Sequence, residues 1–484
     1  MSDASKVAVC GSGAMGAGIA QVAAQAGCDV VVYDSFPGAL ERVQEQVAKG
    51  AAALLKRGKI DEAEAQAMQD RVRWTDSLDD LSDRQLIIEA VIENFDIKAE
   101  LFAKLEGVVA QDCVLATNTS SLGVSALASK LEGPERFIGL HFFNPAAIMK
   151  LVEVVPGLRS APAIIEAAAA TMQGWGKTAV VAKDVPGFIV NRVARPFYSE
   201  GWQAYEEEVA SAATIDFLYR DLAGFRMGPL ELGDLIGHDI NSTAAQSVYD
   251  SYAGRTRFRP SLTQAALAKA GLLGRKSGQG IYDYGEGAEK PASDFADAAD
   301  AGEVKRGPFA ESFGEIGIAD DSLAPFTWIV DGMSVRVTDG RSARQCARDE
   351  GRDVAVLDYV RDIGSVTAIA YSASSDGADK AARALITALG KKPVTLRDRP
   401  GALVFRTILQ LVNAGADAVR DWLCSAEDVD TALRLGVNYP FGPMDWVSKM
   451  QSGYAVAALE NIARETGDDA LFRPNHILRN LTAG

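Results

Sequence analysis

Residues 6–34 hold the arrangement that most narrows what this chain can fold into. A five-residue apolar strand, KVAVC (6–10), breaks into Gly11-Ser12-Gly13-Ala14-Met15-Gly16 and continues as a small-residue helix ending at Gly27. A second strand, DVVVY (29–33), follows and stops at Asp34. Strand, glycine turn, helix, strand and acid in this order make one βαβ unit. The glycines provide a tight turn, close approach of backbone to a pyrophosphate, and close packing of helix on strand. The helix N-terminus adds amide donors and the positive end of its dipole. Asp34, 23 residues after Gly11, is where a carboxylate can hold the adenosine ribose hydroxyls. It would repel a 2′-phosphate, so the pattern predicts NAD rather than NADP. Gly11, Ser12, Gly13, Ala14, Met15, Gly16 and Asp34 form the expected cofactor cradle.

Further strand-like runs at 86–90 (LIIEA), 113–117 (CVLAT) and 137–140 (FIGL) alternate with helical stretches. That alternation predicts an α/β fold with a doubly wound, mainly parallel sheet. From Pro186-Gly187 the pattern is helical to about 270, followed by the glycine-rich GRKSGQGIYDYG (274–285). Residues 286–312 lack periodicity and read as a linker. Beyond them lies a repeat. DVPGFIVNRV (184–193) is echoed by DRPGALVFRT (398–407), GPLELGD (228–234) by GPMDWVS (442–448), and GKTAVVAKD (176–184) by GKKPVTLRD (390–398). The shared offset of 214 residues marks a duplication. Between linker and second copy, 326–375 shows strand-like runs without a glycine loop. The expected organisation is a Rossmann-type NAD domain (1–185), a helical substrate and catalytic domain (186–285), a linker (286–320), a reduced α/β segment (321–398) and a degenerate second helical domain (399–484).

A formal net charge of −16 argues against a nucleic-acid binder or a protein of anionic membranes. An anionic ligand would then need a local basic patch, and the helical stretch 48–59 supplies one with Lys49, Lys56, Arg57 and Lys59. The same residues also fit an ordinary solvated helix face. The five cysteines are scattered and lack CxxC spacing, so neither a disulfide framework nor a metal site is expected. With no apolar run long enough to span a bilayer, the chain reads as a cytoplasmic, reducing-compartment protein.

Polar groups cluster just past predicted strands, where open α/β sheets bind ligands. They are Glu93 with Lys98, Asn118-Thr119-Ser120-Ser121, and His141 in HFFNP. Taken alone, Ser120 also fits a helix N-cap, His141 a core histidine, and Asn191 a surface position. Glu153, between Leu151 and Val155 on one strand face, is costly to bury without a partner, and a histidine is a natural one.

GSGAMGAGIAQ with Asp34, NTSS, HFFNP, MKLVEVV and KDVPGFIVNR together resemble the L-3-hydroxyacyl-CoA dehydrogenase family over residues 5–285. The resemblance implies that His141 is the base for the 3-hydroxyl proton, oriented by Glu153. It implies that Ser120 bonds the substrate oxygen and that Asn191 orients substrate and cofactor. Asp34, Glu93, Lys98, Asn118, Asn144 and Lys276 match cofactor- or CoA-contacting positions, and Lys56 and Arg57 fall where the family meets the CoA phosphates. The duplicated layout is similar to the long bacterial form of the family, whose substrates are 3-hydroxyadipyl-CoA or 3-hydroxybutyryl-CoA in aromatic and fatty acid catabolism. Phe405 stands where Asn191 stands in the first copy, so one active site per chain is expected. The two helical copies are expected to pack on each other within the chain, in place of the homodimer contact of short members; further oligomers stay open. The sequence alone does not place a cation for a terminal carboxylate; Arg192, Arg195 and Arg226 are candidates. Two rival readings remain. A β-hydroxyacid dehydrogenase would use a lysine in the helical domain, and a non-catalytic dinucleotide binder would need none of these residues.

Overall fold

Strand β1 (Lys6–Cys10) enters the glycine turn, and β2 (Asp29–Tyr33) pairs with it in parallel register, Val7 opposite Val30 and Val9 opposite Val32. A computed structural model describes residues 5–481, apart from 37, 309, 314, 315, 317, 451 and 452. The chain divides into two units, Met1–Arg192 with Trp422–Val437, and Val193–Asp421 with Asn438–Gly484.

The first unit is built on an eight-stranded sheet. Its other strands are β3 (Val72–Thr75), β4 (Leu86–Glu89), β5 (Val114–Thr117), β6 (Phe137–Phe142), β7 (Leu151–Pro156) and β8 (Thr178–Val181). The order is β3-β2-β1-β4-β5-β6-β7-β8, and every pairing is parallel except β6 with β7. The order reverses between β1 and β4, which opens a crevice at the carboxyl ends of the strands. β4, β5 and β6 are buried along their whole length, as strands covered on both faces must be. The helical stretch 38–73 resolves into two helices, Ala39–Lys56 and Glu62–Asp70, separated by Gly58 at φ 64°.

The second unit holds the helices after residue 193, except Ala426–Gly436, and a seven-stranded sheet. That sheet comprises β9 (Val304–Arg306), β10 (Ile318–Ala319), β11 (Thr327–Val330), β12 (Met333–Val337), β13 (Val354–Leu357), β14 (Ala368–Ala373) and β15 (Lys392–Thr395). β9 and β10 lie inside the stretch read as a linker. At three and two residues they are too short to show periodicity, and pairing with neighbours creates them. Within this unit the helices Arg195–Glu206 and Val404–Arg420 pack together. Buried Glu200 bridges them, accepting from Arg399 Nη2 at 3.0 Å and Arg406 Nε at 2.8 Å.

The repeat is legible in the backbone. Gly187 and Gly401 are left-handed at φ 78° and 82°, and the next residues, Phe188 and Ala402, stay left-handed at φ 45° and 56°. Asp184 accepts from the N–H groups of Val124 and Ser125, while Asp398 accepts from those of Ala343 and Arg344. A Cβ on Gly201 would lie 2.2 Å from Pro229, and one on Gly415 would lie 2.6 Å from Pro443. Both copies thus demand glycine for the same close helix contact.

Candidate active site

The glycine cradle fits a dinucleotide. A Cβ on Gly11 would meet the Ala90 carbonyl oxygen at 2.6 Å, and one on Gly16 would meet the Gly11 oxygen at 1.9 Å. Both positions are closed to any side chain. A Cβ on Gly13, at the N-cap of the helix Ala14–Gln25, would meet nothing within 4 Å, so the backbone there is open to a phosphate. Asp34 follows β2 and accepts from Ser12 N–H at 2.8 Å and from the Ser12 hydroxyl. The acid is therefore tied to the turn it serves, and its Oδ1 takes the Phe36 N–H at 3.0 Å.

Past β4 and β5 a charged cluster anchors the next loop. Lys98 is buried, with Nζ 2.5 Å from Glu89 and 3.2 Å from Glu93. Glu93 accepts from Thr119 Oγ1 at 2.5 Å, Ser120 N–H at 3.1 Å and Ser121 Oγ at 2.8 Å. The Lys98 charge and these donors hold the Glu93 carboxyl below its ordinary range against burial. Lys98 is thus occupied in holding Glu89 and Glu93. Ser120 Oγ is left without a hydrogen bond among the described residues. Asn118 Oδ1 accepts from Phe142 N–H at 2.8 Å, which ties the end of β5 to the residue after His141.

The dyad lies across the antiparallel pairing of β6 and β7, where His141 is opposite Glu153. Nδ1 of His141 is 2.5 Å from Glu153 Oε2. The glutamate is fully buried, and its Oε1 accepts from the N–H groups of Ile189 and Val190 at 2.9 and 3.0 Å. Because that carboxylate accepts from amides on its other oxygen, Nδ1 is the donor, and Nε2 of a neutral ring keeps its lone pair. Phe143 and Phe188 flank the imidazole at 4.5 and 5.6 Å between centroids. The same carboxylate fixes the start of the helix Val190–Val193 that carries Asn191. The Asn191 side chain has no hydrogen bond among the described residues, so Ser120, Asn191 and Nε2 remain available to a ligand.

Asn144 is exposed in the loop after β6. Lys276 belongs to the second unit, where Nζ pairs with Asp239 at 2.5 Å. Lys56, Arg57 and Lys59 are exposed at the end of the helix Ala39–Lys56, and Lys49 pairs with Glu45 at 2.7 Å.

Several supporting residues escaped the sequence reading. Glu89 is a lone acid in an apolar strand, the same signal that marked Glu153. Lys177 is buried and donates to the carbonyls of Ala146 and Met149 at 2.6 and 2.8 Å, bracing the loop after HFFNP. The segment Trp422–Val437 of the second copy belongs to the first unit, and its helix Ala426–Gly436 packs on β7 and β8. No pattern in the sequence separates it from its repeat partner, 208–223, which stays in the second unit.

Comparison with known proteins places this geometry in context. Sequence models of the 3-hydroxyacyl-CoA dehydrogenase NAD binding domain and C-terminal domain match residues 6–185, and 187–284 with 401–483, respectively. A model of the 3-hydroxybutyryl-CoA dehydrogenase reduced Rossmann-fold domain matches 335–400. The chain is 40% identical over 474 residues to the 3-hydroxyadipyl-CoA dehydrogenase of Escherichia coli K12, covering 98% of this chain and 96% of that one. It is 40% identical over 279 residues to a probable 3-hydroxybutyryl-CoA dehydrogenase of Deinococcus radiodurans, covering 58% of this chain and all of that one. A crystal structure of a 3-hydroxybutyryl-CoA dehydrogenase from Escherichia coli K12 superposes with a TM-score of 0.91 at 38% identity, covering 99% of this chain and 98% of that one.

Proposed function

The chain belongs to the 3-hydroxyacyl-CoA dehydrogenase family, and from that premise we propose that it interconverts an (S)-3-hydroxyacyl-CoA and the 3-oxoacyl-CoA with NAD. The contact between His141 Nδ1 and Glu153 carries this reading. Nε2 of His141 takes the hydroxyl proton, and Glu153 stabilises the imidazolium that results. Ser120 Oγ bonds the substrate oxygen, and Asn191 helps orient substrate and cofactor. The amides of the glycine turn hold the pyrophosphate, and Asp34 holds the ribose hydroxyls. Bound NAD supplies the acceptor for the hydride that leaves C3. Glu93, Asn118, Asn144 and Lys276 complete the set assigned to cofactor or CoA, with Lys98 acting through Glu93. Lys56 and Arg57 meet the CoA phosphates, and a KM for the thioester that rises steeply with salt is their signature.

The domain plan is NAD binding in 1–185, catalysis with 186–285, and a largely architectural second copy. A relative is matched along its full length by 58% of this chain, so most of this chain's remainder has no counterpart in it. The duplication replaces the homodimer contact of short members. None of the described helices is long and apolar enough to cross a membrane, which fits action in the cytoplasm.

For the acyl group we favour 3-hydroxyadipyl, the substrate named for the Escherichia coli relative matched along nearly its full length. Arg195 supports this choice, being buried over the Tyr198 ring with Nε and Nη1 lacking hydrogen bonds among the described residues. A buried cation without an anion is unfavourable, and a terminal carboxylate would satisfy it. NADH oxidation with acetoacetyl-CoA tests the activity. Turnover of a free 3-hydroxy acid but not of its thioester would favour a β-hydroxyacid dehydrogenase, and no turnover of either would favour a binding protein. A kcat/KM series over straight-chain and ω-carboxylated thioesters, in wild type and Arg195→Met, tests the acyl group.

A further inference from the structure

The second copy keeps the frame of the first and has exchanged its chemistry. Glu153 lies opposite Val180 in β8, and Ala370 lies opposite Val394, the residue 214 positions later in β15. Across the antiparallel pairing, His141 faces Glu153. The residue facing Ala370 is Asp358, which continues the β13–β14 register and donates its N–H to the Ala370 carbonyl. Asp358 therefore stands at the histidine position and Ala370 at the glutamate position. The Asp358 carboxylate is buried and accepts from the N–H groups of Leu403, Val404 and Phe405. That is the task Glu153 performs for Ile189 and Val190. The same register places Val337 where Asn118 stands, and Phe405 occupies the Asn191 position.

The exchange has not filled the recess. A cavity of about 170 Å³ remains, lined by Val337, Thr338, Tyr359, Phe405, Lys449 and Tyr454 among others. The volume is below the about 300–1,000 Å³ of a pocket for drug-sized ligands and suits a single ring. The Tyr359 and Phe405 rings are 9° from parallel with centroids 6.5 Å apart, and Tyr454 lies 5.7 Å from Phe405. Phe326, another wall residue, is held at φ 53°, a strained conformation of the kind found at ligand clamps. Among the described lining residues one is charged. Lys449 is exposed, its Nζ is 4.8 Å from the Phe441 ring centroid, and it makes no ion pair among the described residues.

We propose that this abandoned catalytic position is a binding site for a small aromatic carboxylate, its ring among Tyr359, Phe405 and Tyr454 and its charge towards Lys449. The apolar lining excludes a polar body, the aromatic walls favour a flat one, and the single lysine selects one negative charge. The inference rests on the geometry of the second copy and not on the activity of the first.

The test is ligand-observed NMR and calorimetry on the full-length protein, with benzoate as probe and benzamide and hexanoate as controls. Saturable binding of one benzoate per chain is expected, with contacts from its ring protons to aromatic side chains. Benzamide, or the exposed substitution Lys449→Gln, should weaken binding about three- to five-fold, the worth of one exposed charge pair. Val337→Phe, which fills the cavity, should abolish it. No binding, equal binding by hexanoate, displacement of benzoate by acetoacetyl-CoA, or unchanged affinity in Lys449→Gln would each overturn the proposal, whether or not Val337→Phe folds.

Discussion

Glu153 holds His141 through one carboxylate oxygen, 2.5 Å from Nδ1, and with the other takes the first N–H groups of the helix that carries Asn191. One buried acid thus orients both the proposed base and the backbone that carries the proposed site residue Asn191. Glu153→Gln should keep the fold but present an amide to Nδ1 and lose the charge opposite the imidazolium. A fall in kcat of about 10²–10⁴-fold is expected, with NADH affinity by fluorescence titration within a few-fold of wild type. His141→Ala should fall at least as far.

The helix Ala426–Gly436 approaches β7 closely enough that a Cβ on Gly436 would lie 2.7 Å from Leu151 Cδ2 and 3.0 Å from Val190 Cγ2. These neighbours flank Glu153 in sequence or in its hydrogen bonds. Gly436→Val should therefore destabilise by about 1–3 kcal/mol through overpacking. Urea unfolding measures the stability loss, and kcat should fall because the strand carrying Glu153 is displaced.

Glu200 is nearly inaccessible and faces two buried arginines, Arg399 and Arg406. Glu200→Gln leaves both cations without their shared anion, and breaking a buried pair from one side costs about 3–5 kcal/mol. Chemical denaturation should show this loss. Replacing all three together with apolar residues of similar volume should recover most of it.

Burial pushes the Lys177 ammonium down from its ordinary 10.5 to about 8. Between those values the unfolded chain holds a proton that the folded chain has released. Stability contributed by this group therefore rises as pH increases from about 8 to 10.5. In Lys177→Met that rise should vanish from the difference in urea midpoints across this range, whatever the absolute stability of the variant.

The sequence alone determined the βαβ cradle, because phosphate binding requires glycine at fixed intervals between a strand and a helix. It also determined the duplication, since two copies of one helical fold need the same left-handed and close-packed glycines 214 residues apart. The His141–Glu153 pair was legible because a lone carboxylate on an apolar strand face demands a partner. What only the tertiary structure decided depends on pairings between distant segments. Two- and three-residue strands exist solely through their neighbours, Lys98 is spent on Glu89 and Glu93, and one segment of the second copy joins the first unit. The fate of the second site belongs with these. Asp358 took over the amide-holding task from the strand opposite, a substitution that leaves no trace in the repeat alignment because strand register, not sequence spacing, makes the two positions equivalent.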